Sequence, residues 1–407
     1  MFRSISKGPV DPVFILSSKV KADESPSKID LGVGVYRNEQ GRYNELGVLK
    51  QAKEILTKLE LGHDYEVTTG DAEFVENASR ILFGAESEAV KTRRIASAQA
   101  ISGTGSIHLA ALFLSRAEEF RGKKVYIGTP AWGNYEPLFN LVGFEVVKYR
   151  HYDAERGTVA FSDLLDAVQH APDGSIFVLQ GCCHNPSGAD LSREQWQTLA
   201  KAMKPKRHFP FFDMAYQGLG GPLEDDAFGL RHFVERGFEL LACQSFSKNF
   251  GLYGERCGVL HILTEKEAVA ANVYDQLRCL IRWEFSSSPA YGSRLVNTVL
   301  KDNTLTSQWQ EELVVMRVRL VSLRRALHDL LTKVQKTPGN WDAILTSTGL
   351  FCFLPLTPQQ CETLGTKHHI YMLLSGRINV SGMNQSNVER IAQAIDEVVQ
   401  GTRSSRL

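Results

Sequence analysis

The stretch Cys243–Arg256, CQSFSKNFGLYGER, decides how the rest of the chain is read. Lys248 stands just beyond FELLACQSF, an apolar run with the pattern of a buried strand emptying into a loop. Burial disfavours the ammonium and lowers its pKa, and the neutral amine is the form that makes a Schiff base with an aldehyde. A lone lysine at a strand end is equally well a structural ion pair, so its companions along the chain carry the weight.

Two further apolar runs end in polar groups of complementary chemistry. SIFVLQGCCHNPSG, Ser175 to Gly188, delivers Asn185, and HFPFFDMAYQG, His208 to Gly218, delivers Asp213 and Tyr216. The segment SREQWQTLAKAMK lies between them, with Ser192 and Gln195 in the pattern of a capping box. Short apolar runs separated by helical segments predict parallel strands with crossover helices, buried on both faces. Ligands of such sheets bind outside the carboxyl ends of the strands, so Asn185, Asp213, Tyr216 and Lys248 are expected to converge.

Upstream, AISGTGSIHLAALFL sets Ser102, Gly103, Thr104 and Gly105 immediately before an apolar helical pattern. Glycines admit an anion close to the backbone, and a helix N-terminus offers free N–H groups and the positive end of its dipole. The pattern is neither GxGxxG nor GxxxxGK[ST], which argues against a dinucleotide or a nucleoside triphosphate. A phosphate, an aldehyde for Lys248 and a carboxylate for a ring nitrogen together describe pyridoxal 5'-phosphate.

LGVGVYR, SGTG, HNPSG, FFDMAYQG, SFSKNFGLYGER and SGRINVSG run in that order through the chain. With this set, from about Asp11 to about Val399, the sequence resembles the fold-type I aminotransferases of the aspartate/aromatic class. The resemblance implies an α/β fold: a large domain with a mostly parallel seven-stranded sheet flanked by helices, and a smaller α/β domain. It implies Lys248 as the covalent anchor of the cofactor and the base that moves the substrate proton. Asp213 would pair with the protonated ring nitrogen, Tyr216 and Asn185 would bond the phenolic oxygen, and Trp132 of TPAWGNY would stack on the ring. Phosphate binding falls to Ser102, Gly103, Thr104, Ser245 and Arg256, with Tyr65 reaching in from a neighbouring subunit, so that a homodimer shares its active sites.

Two arginines bear on the substrate. Arg377 of SGRINVSG matches the clamp for the α-carboxylate, with a backbone contact from Gly34 and with Asn185 and Trp132 nearby. Arg282 of CLIRWEFSSSP falls where the distal carboxylate of a dicarboxylic substrate is held. A planar fork left unpaired by an uncharged side chain discriminates well. The implied reaction is reversible, ping-pong transfer of an amino group from L-aspartate to 2-oxoglutarate, and the alternative is a broader aspartate/aromatic enzyme. Three departures stand out. Trp283, Glu284 and Phe285 differ from the usual residues after Arg282, and Gln180 and Tyr135 occupy positions where animal relatives carry histidines behind Asp213.

The whole sequence agrees. Its 46 basic and 46 acidic residues cancel, leaving no global charge for nucleic acid or a membrane surface. No apolar run approaches the roughly 20 residues of a membrane-spanning helix. Seven cysteines, Cys182 and Cys183 adjacent, show no metal-ligand spacing and fit reduced thiols. Leu313, Leu320, Leu327 and Val334 recur every seven residues in an amphipathic stretch from about Ser307, expected as one long helix bridging two domains. The expected large cofactor-binding domain is 46–314, with 1–45 and 315–407 forming the N-terminal arm and small domain. That small domain is expected to close over bound substrate. A cytoplasmic location is expected, with Ser405, Arg406 and Leu407 similar to a peroxisomal address.

Overall fold

The computed structural model describes residues 2–404. They divide into two compact units, one of residues 44–319 and 346–349, the other of the described residues within 1–43, 320–345 and 350–407.

The larger unit is built on a seven-stranded sheet in the spatial order Ile95–Ile101, Cys257–Leu263, Leu240–Ser245, Phe209–Met214, Ile176–Gln180, Lys124–Thr129 and Glu145–Arg150. The last five are mutually parallel, and Cys257–Leu263 runs antiparallel to both its neighbours. Buried on both faces, the central strands need apolar residues at every position rather than at alternate ones. Phe211 and Phe212 show the consequence: side chains alternate across a strand, so Phe211 packs with Leu109, Phe139 and Leu277 on one face. Phe212 packs with Trp196, Leu230 and Phe233 on the other. The helix Arg193–Met203 between two of the parallel strands begins with the expected capping box, Ser192 and Gln195 bonding reciprocally.

Register aligns the chemistry. Gln180 pairs with Asp213, and Asp213 with Cys243, so three strands end in one row. The chain leaves Leu240–Ser245, turns through the segment holding Lys248, and returns antiparallel as Cys257–Leu263.

The smaller unit pairs Ile29–Asp30 with Ile370–Tyr371 and Phe351–Phe353 with Arg377–Asn379. Around these pairs lie the helices Pro12–Ala22, Pro358–His368 and Val388–Ser404. The helix Asn303–Asp329 begins in one unit and ends in the other. Leu313, Leu320 and Leu327 are buried along it, but Val334 is 64% exposed. The seven-residue repeat stops because Leu330–Val334 winds as a wider turn, which buries Leu331 instead. Among the described residues no helix is long and apolar enough to cross a membrane. Ser405, Arg406 and Leu407 lie outside them.

Candidate active site

The expected phosphate loop is the first turn of a helix. Ser102–Arg116 is helical from its first serine, so Gly103, Thr104 and Gly105 supply N–H groups that have no partner within the helix. Ser102 adopts φ +59°, a left-handed conformation costly for a residue with a side chain and common where structure is committed to function. Its hydroxyl lies 2.7 Å from Ser247 Oγ and 3.2 Å from Ser245 Oγ. A side chain at Gly103 would press on Ser245, and one at Gly258 would strike the Ser102 backbone. Arg256, also left-handed at φ +54°, donates from Nη1 to Tyr253 O at 2.8 Å. Its charge lies close enough to disfavour the Lys248 ammonium.

Lys248 is part-buried, with Nζ 5.0 Å from the centre of the Tyr216 ring. Burial lowers its pKa first and Arg256 adds to this, while the charge of Asp213 opposes both. Asp213 is buried, and burial raises its pKa against a hydrogen bond from Tyr135 and the charge of Lys248. Tyr135 Oη donates to Asp213 Oδ2, whereas Asp213 Oδ1 has no hydrogen-bond partner among the described residues. Trp132, part-buried, meets Tyr135 edge to face at 5.3 Å.

Asn185 and Tyr216 are buried on neighbouring loops. Gln180 pairs with Asp213 in register, but among the described residues its amide makes no hydrogen bond to that carboxylate. Its side chain clamps the Asn185 backbone instead, accepting from Asn185 N at 2.8 Å and donating to Asn185 O at 3.0 Å. An amide matches both groups of one residue at once, whereas a carboxylate in its place would have no donor for the Asn185 carbonyl. Asp190 holds the same loop through the N–H groups of Cys183 and His184, each at 2.8 Å. Asp226 fixes the loop after Tyr216 by accepting from Gly218, Gly220 and Gly221 N–H.

With this geometry in hand, a model of the "Aminotransferase class I and II" family matches residues 26–395. The chain belongs to that family. It is 42% identical to the aminotransferase tasG of Hapsidospora irregularis over 100% of this chain and 98% of that one. It is equally 42% identical to the mitochondrial aspartate aminotransferase of Dictyostelium discoideum, over 97% and 92% of the two chains. Among solved structures, the aromatic-amino-acid aminotransferase of Burkholderia pseudomallei, covalently bound to pyridoxal phosphate, superposes with a TM-score of 0.95. That match has 36% identity and covers 98% of this chain and 99% of the other.

The family depends on pyridoxal phosphate, and the residues of this aminotransferase suit it. The unsatisfied buried oxygen of Asp213 is a place for a ring N–H. Three serine hydroxyls, a helix N-terminus and a guanidinium suit a dianionic phosphate. Ser247 belongs to that cluster and escaped the sequence reading, although the alternation SFS around Phe246 could have revealed it.

Four further expected residues have settings of their own. Arg377 and Gly34 are in the smaller unit, where Arg377 is buried, donates from Nη2 to Gly32 O at 2.5 Å and sits 4.5 Å from the Phe351 ring. Arg282, in the last turn of Glu267–Glu284, is exposed and bonds Ser286 Oγ at 2.5 Å. Tyr65 is 89% exposed.

Proposed function

We propose that the chain transfers the amino group of L-aspartate to 2-oxoglutarate, giving oxaloacetate and L-glutamate, in two ping-pong half-reactions. The observation that carries this is Lys248, an amine whose pKa is lowered by burial, beside the buried carboxylate of Asp213 and the hydroxyl-rich helix terminus at Ser102. The bound cofactor supplies an aldehyde to carry nitrogen and a ring to accept electrons from the substrate carbon. Lys248 anchors it and, once released, moves the proton to and from that carbon through Nζ. Asp213 keeps the ring nitrogen protonated, Tyr216 and Asn185 bond the phenolic oxygen, and Trp132 covers a ring face. Ser102, Gly103, Thr104, Ser245 and Arg256 hold the phosphate.

Arg377, with Gly34, binds the α-carboxylate, and Arg282 binds the distal carboxylate. Tyr65 serves the active site of a second copy in a homodimer. The larger unit is the cofactor domain, and the smaller supplies Arg377. We place the activity in the cytoplasm, with the C-terminal Ser405-Arg406-Leu407 as the alternative peroxisomal address. Deleting those three residues from a fluorescent fusion tests the choice.

The test of the reaction is visible absorbance of the purified protein. Aspartate alone should abolish the cofactor band near the visible edge, and 2-oxoglutarate should restore it. No band even after adding pyridoxal phosphate rules out Lys248 as the anchor. The broader aspartate/aromatic activity is the second reading, favoured by the similarity to an aromatic-amino-acid enzyme. Comparable turnover of phenylalanine and aspartate would decide for it.

A further inference from the structure

We infer that Tyr135 is the positioning residue that keeps Asp213 turned so that its Oδ1 serves the cofactor ring nitrogen. This rests on the assignment of Asp213 to that nitrogen. Tyr135 begins the short helix Tyr135–Leu141 and is 1% exposed, so its ring cannot swing away to solvent. Its hydroxyl donates to Oδ2 of Asp213, leaving Oδ1 buried and without a donor among the described residues. The two carboxylate oxygens are thereby made unequal: one is occupied by the protein and the other is available to a ligand N–H. The rings of Tyr135 and Trp132 meet at 5.3 Å and 84°, so one side chain contacts both the carboxylate and the indole expected over the ring.

The choice of a phenol has a chemical consequence. The groups acting on Asp213 are Tyr135 and Lys248, with the Cys243 thiol close by on the adjoining strand. Burial, then the Asp213 charge, pushes the Tyr135 hydroxyl well above its ordinary pKa, so it remains a proton donor throughout the working pH range. An imidazole in that place could lose its donor proton or turn its acceptor nitrogen toward the carboxylate. A neutral phenol has no acceptor-only form.

The test measures binding by the apoenzyme rather than turnover. Wild type, Tyr135→Phe, Tyr135→His and Asp213→Asn are titrated with pyridoxal 5'-phosphate and with its 1-deaza analogue, which lacks the ring nitrogen. The wild type should prefer the natural cofactor. Tyr135→Phe should lose on the order of tenfold of that preference, the ordinary worth of one hydrogen bond to a charged group. Its affinity for the deaza analogue should be nearly unchanged, which separates a role through Asp213 from general loosening. Tyr135→His should recover part of the preference, since even a neutral imidazole carries one N–H, and that part should change with pH as the ring gains its second proton. Asp213→Asn should abolish the preference. If it does not, the assignment of Asp213 fails; if it does while Tyr135→Phe keeps the full preference, the inference about Tyr135 fails.

Discussion

Arg377 and Arg282 are the same side chain in opposite settings. Arg377 is buried, held by Gly32 O and lying over Phe351, all supplied by its own unit. Arg282 ends a helix in solvent, where among the described residues its hydrogen-bond partner is the Ser286 hydroxyl. A buried guanidinium has already lost water and side-chain freedom, so its carboxylate ligand finds a preorganised partner. An exposed one must be ordered by whatever binds it. On the roles proposed for them, the carboxylate common to every amino acid would meet a preorganised arginine, and the group that distinguishes one amino acid from another would meet an exposed one. The same contrast separates Lys248, Asp213 and Ser102, all buried or part-buried, from Tyr65.

The harshest trial of the interior half is Lys248→Ala. Turnover of every amino donor should fall by at least about 10⁴-fold, because one residue is asked to be both anchor and proton carrier. Turnover within a factor of ten of wild type would remove Lys248 from the chemistry. Arg377→Lys comes next. An ammonium cannot reproduce a planar bidentate fork, so kcat/KM should drop about 10²-fold for aspartate and phenylalanine alike. A drop confined to aspartate would reverse the roles given to the two arginines.

Arg282→Ala probes the rim, and here the ratio is the readout. The preference of kcat/KM for aspartate over phenylalanine should shrink by about 10- to 100-fold, with phenylalanine itself little changed. An unaltered ratio would mean that the exposed arginine selects nothing and that the broader substrate range is correct.

What could be read in the sequence follows the same division. Strands buried on both faces must be apolar throughout, so Ile176–Gln180, Phe209–Met214 and Leu240–Ser245 announce themselves, and the polar residues at their ends announce the site. Ser192 and Gln195 declare a helix start because capping is local chemistry. Contacts between distant segments carry no such mark. Nothing near Gln180 says that its amide will clamp Asn185, and nothing near Asp226 says that it will collect three glycine N–H groups. A seven-residue spacing that includes Val334 does not report that the helix changes its winding at Leu330.

The smallest expected effect concerns how dry the interior is. His261 lies on the strand Cys257–Leu263, fully buried, with Nδ1 2.7 Å from Ser97 Oγ and Nε2 2.9 Å from Gln244 Oε1. A neutral ring satisfies both neighbours, donating to the amide oxygen and accepting from the serine. A second proton would have to displace the serine hydrogen in a fully buried site. Burial accordingly lowers the pKa of His261 to about 3 and that of His151, stacked 3.8 Å from His184, to about 4. Both values are below the ordinary 6.5, so between that pH and the folded values the unfolded chain binds more protons than the folded one. Stability is therefore full above pH 6.5 and declines as the solution is acidified, at up to about 1.4 kcal/mol per pH unit for each such histidine. Denaturant titrations from pH 7 to pH 5 should show this decline, and His261→Gln should flatten it by one histidine's share while costing some stability at pH 7. An unchanged slope would mean that His261 can take up its proton in the folded chain as readily as in the unfolded one, and that its burial does not exclude the charge.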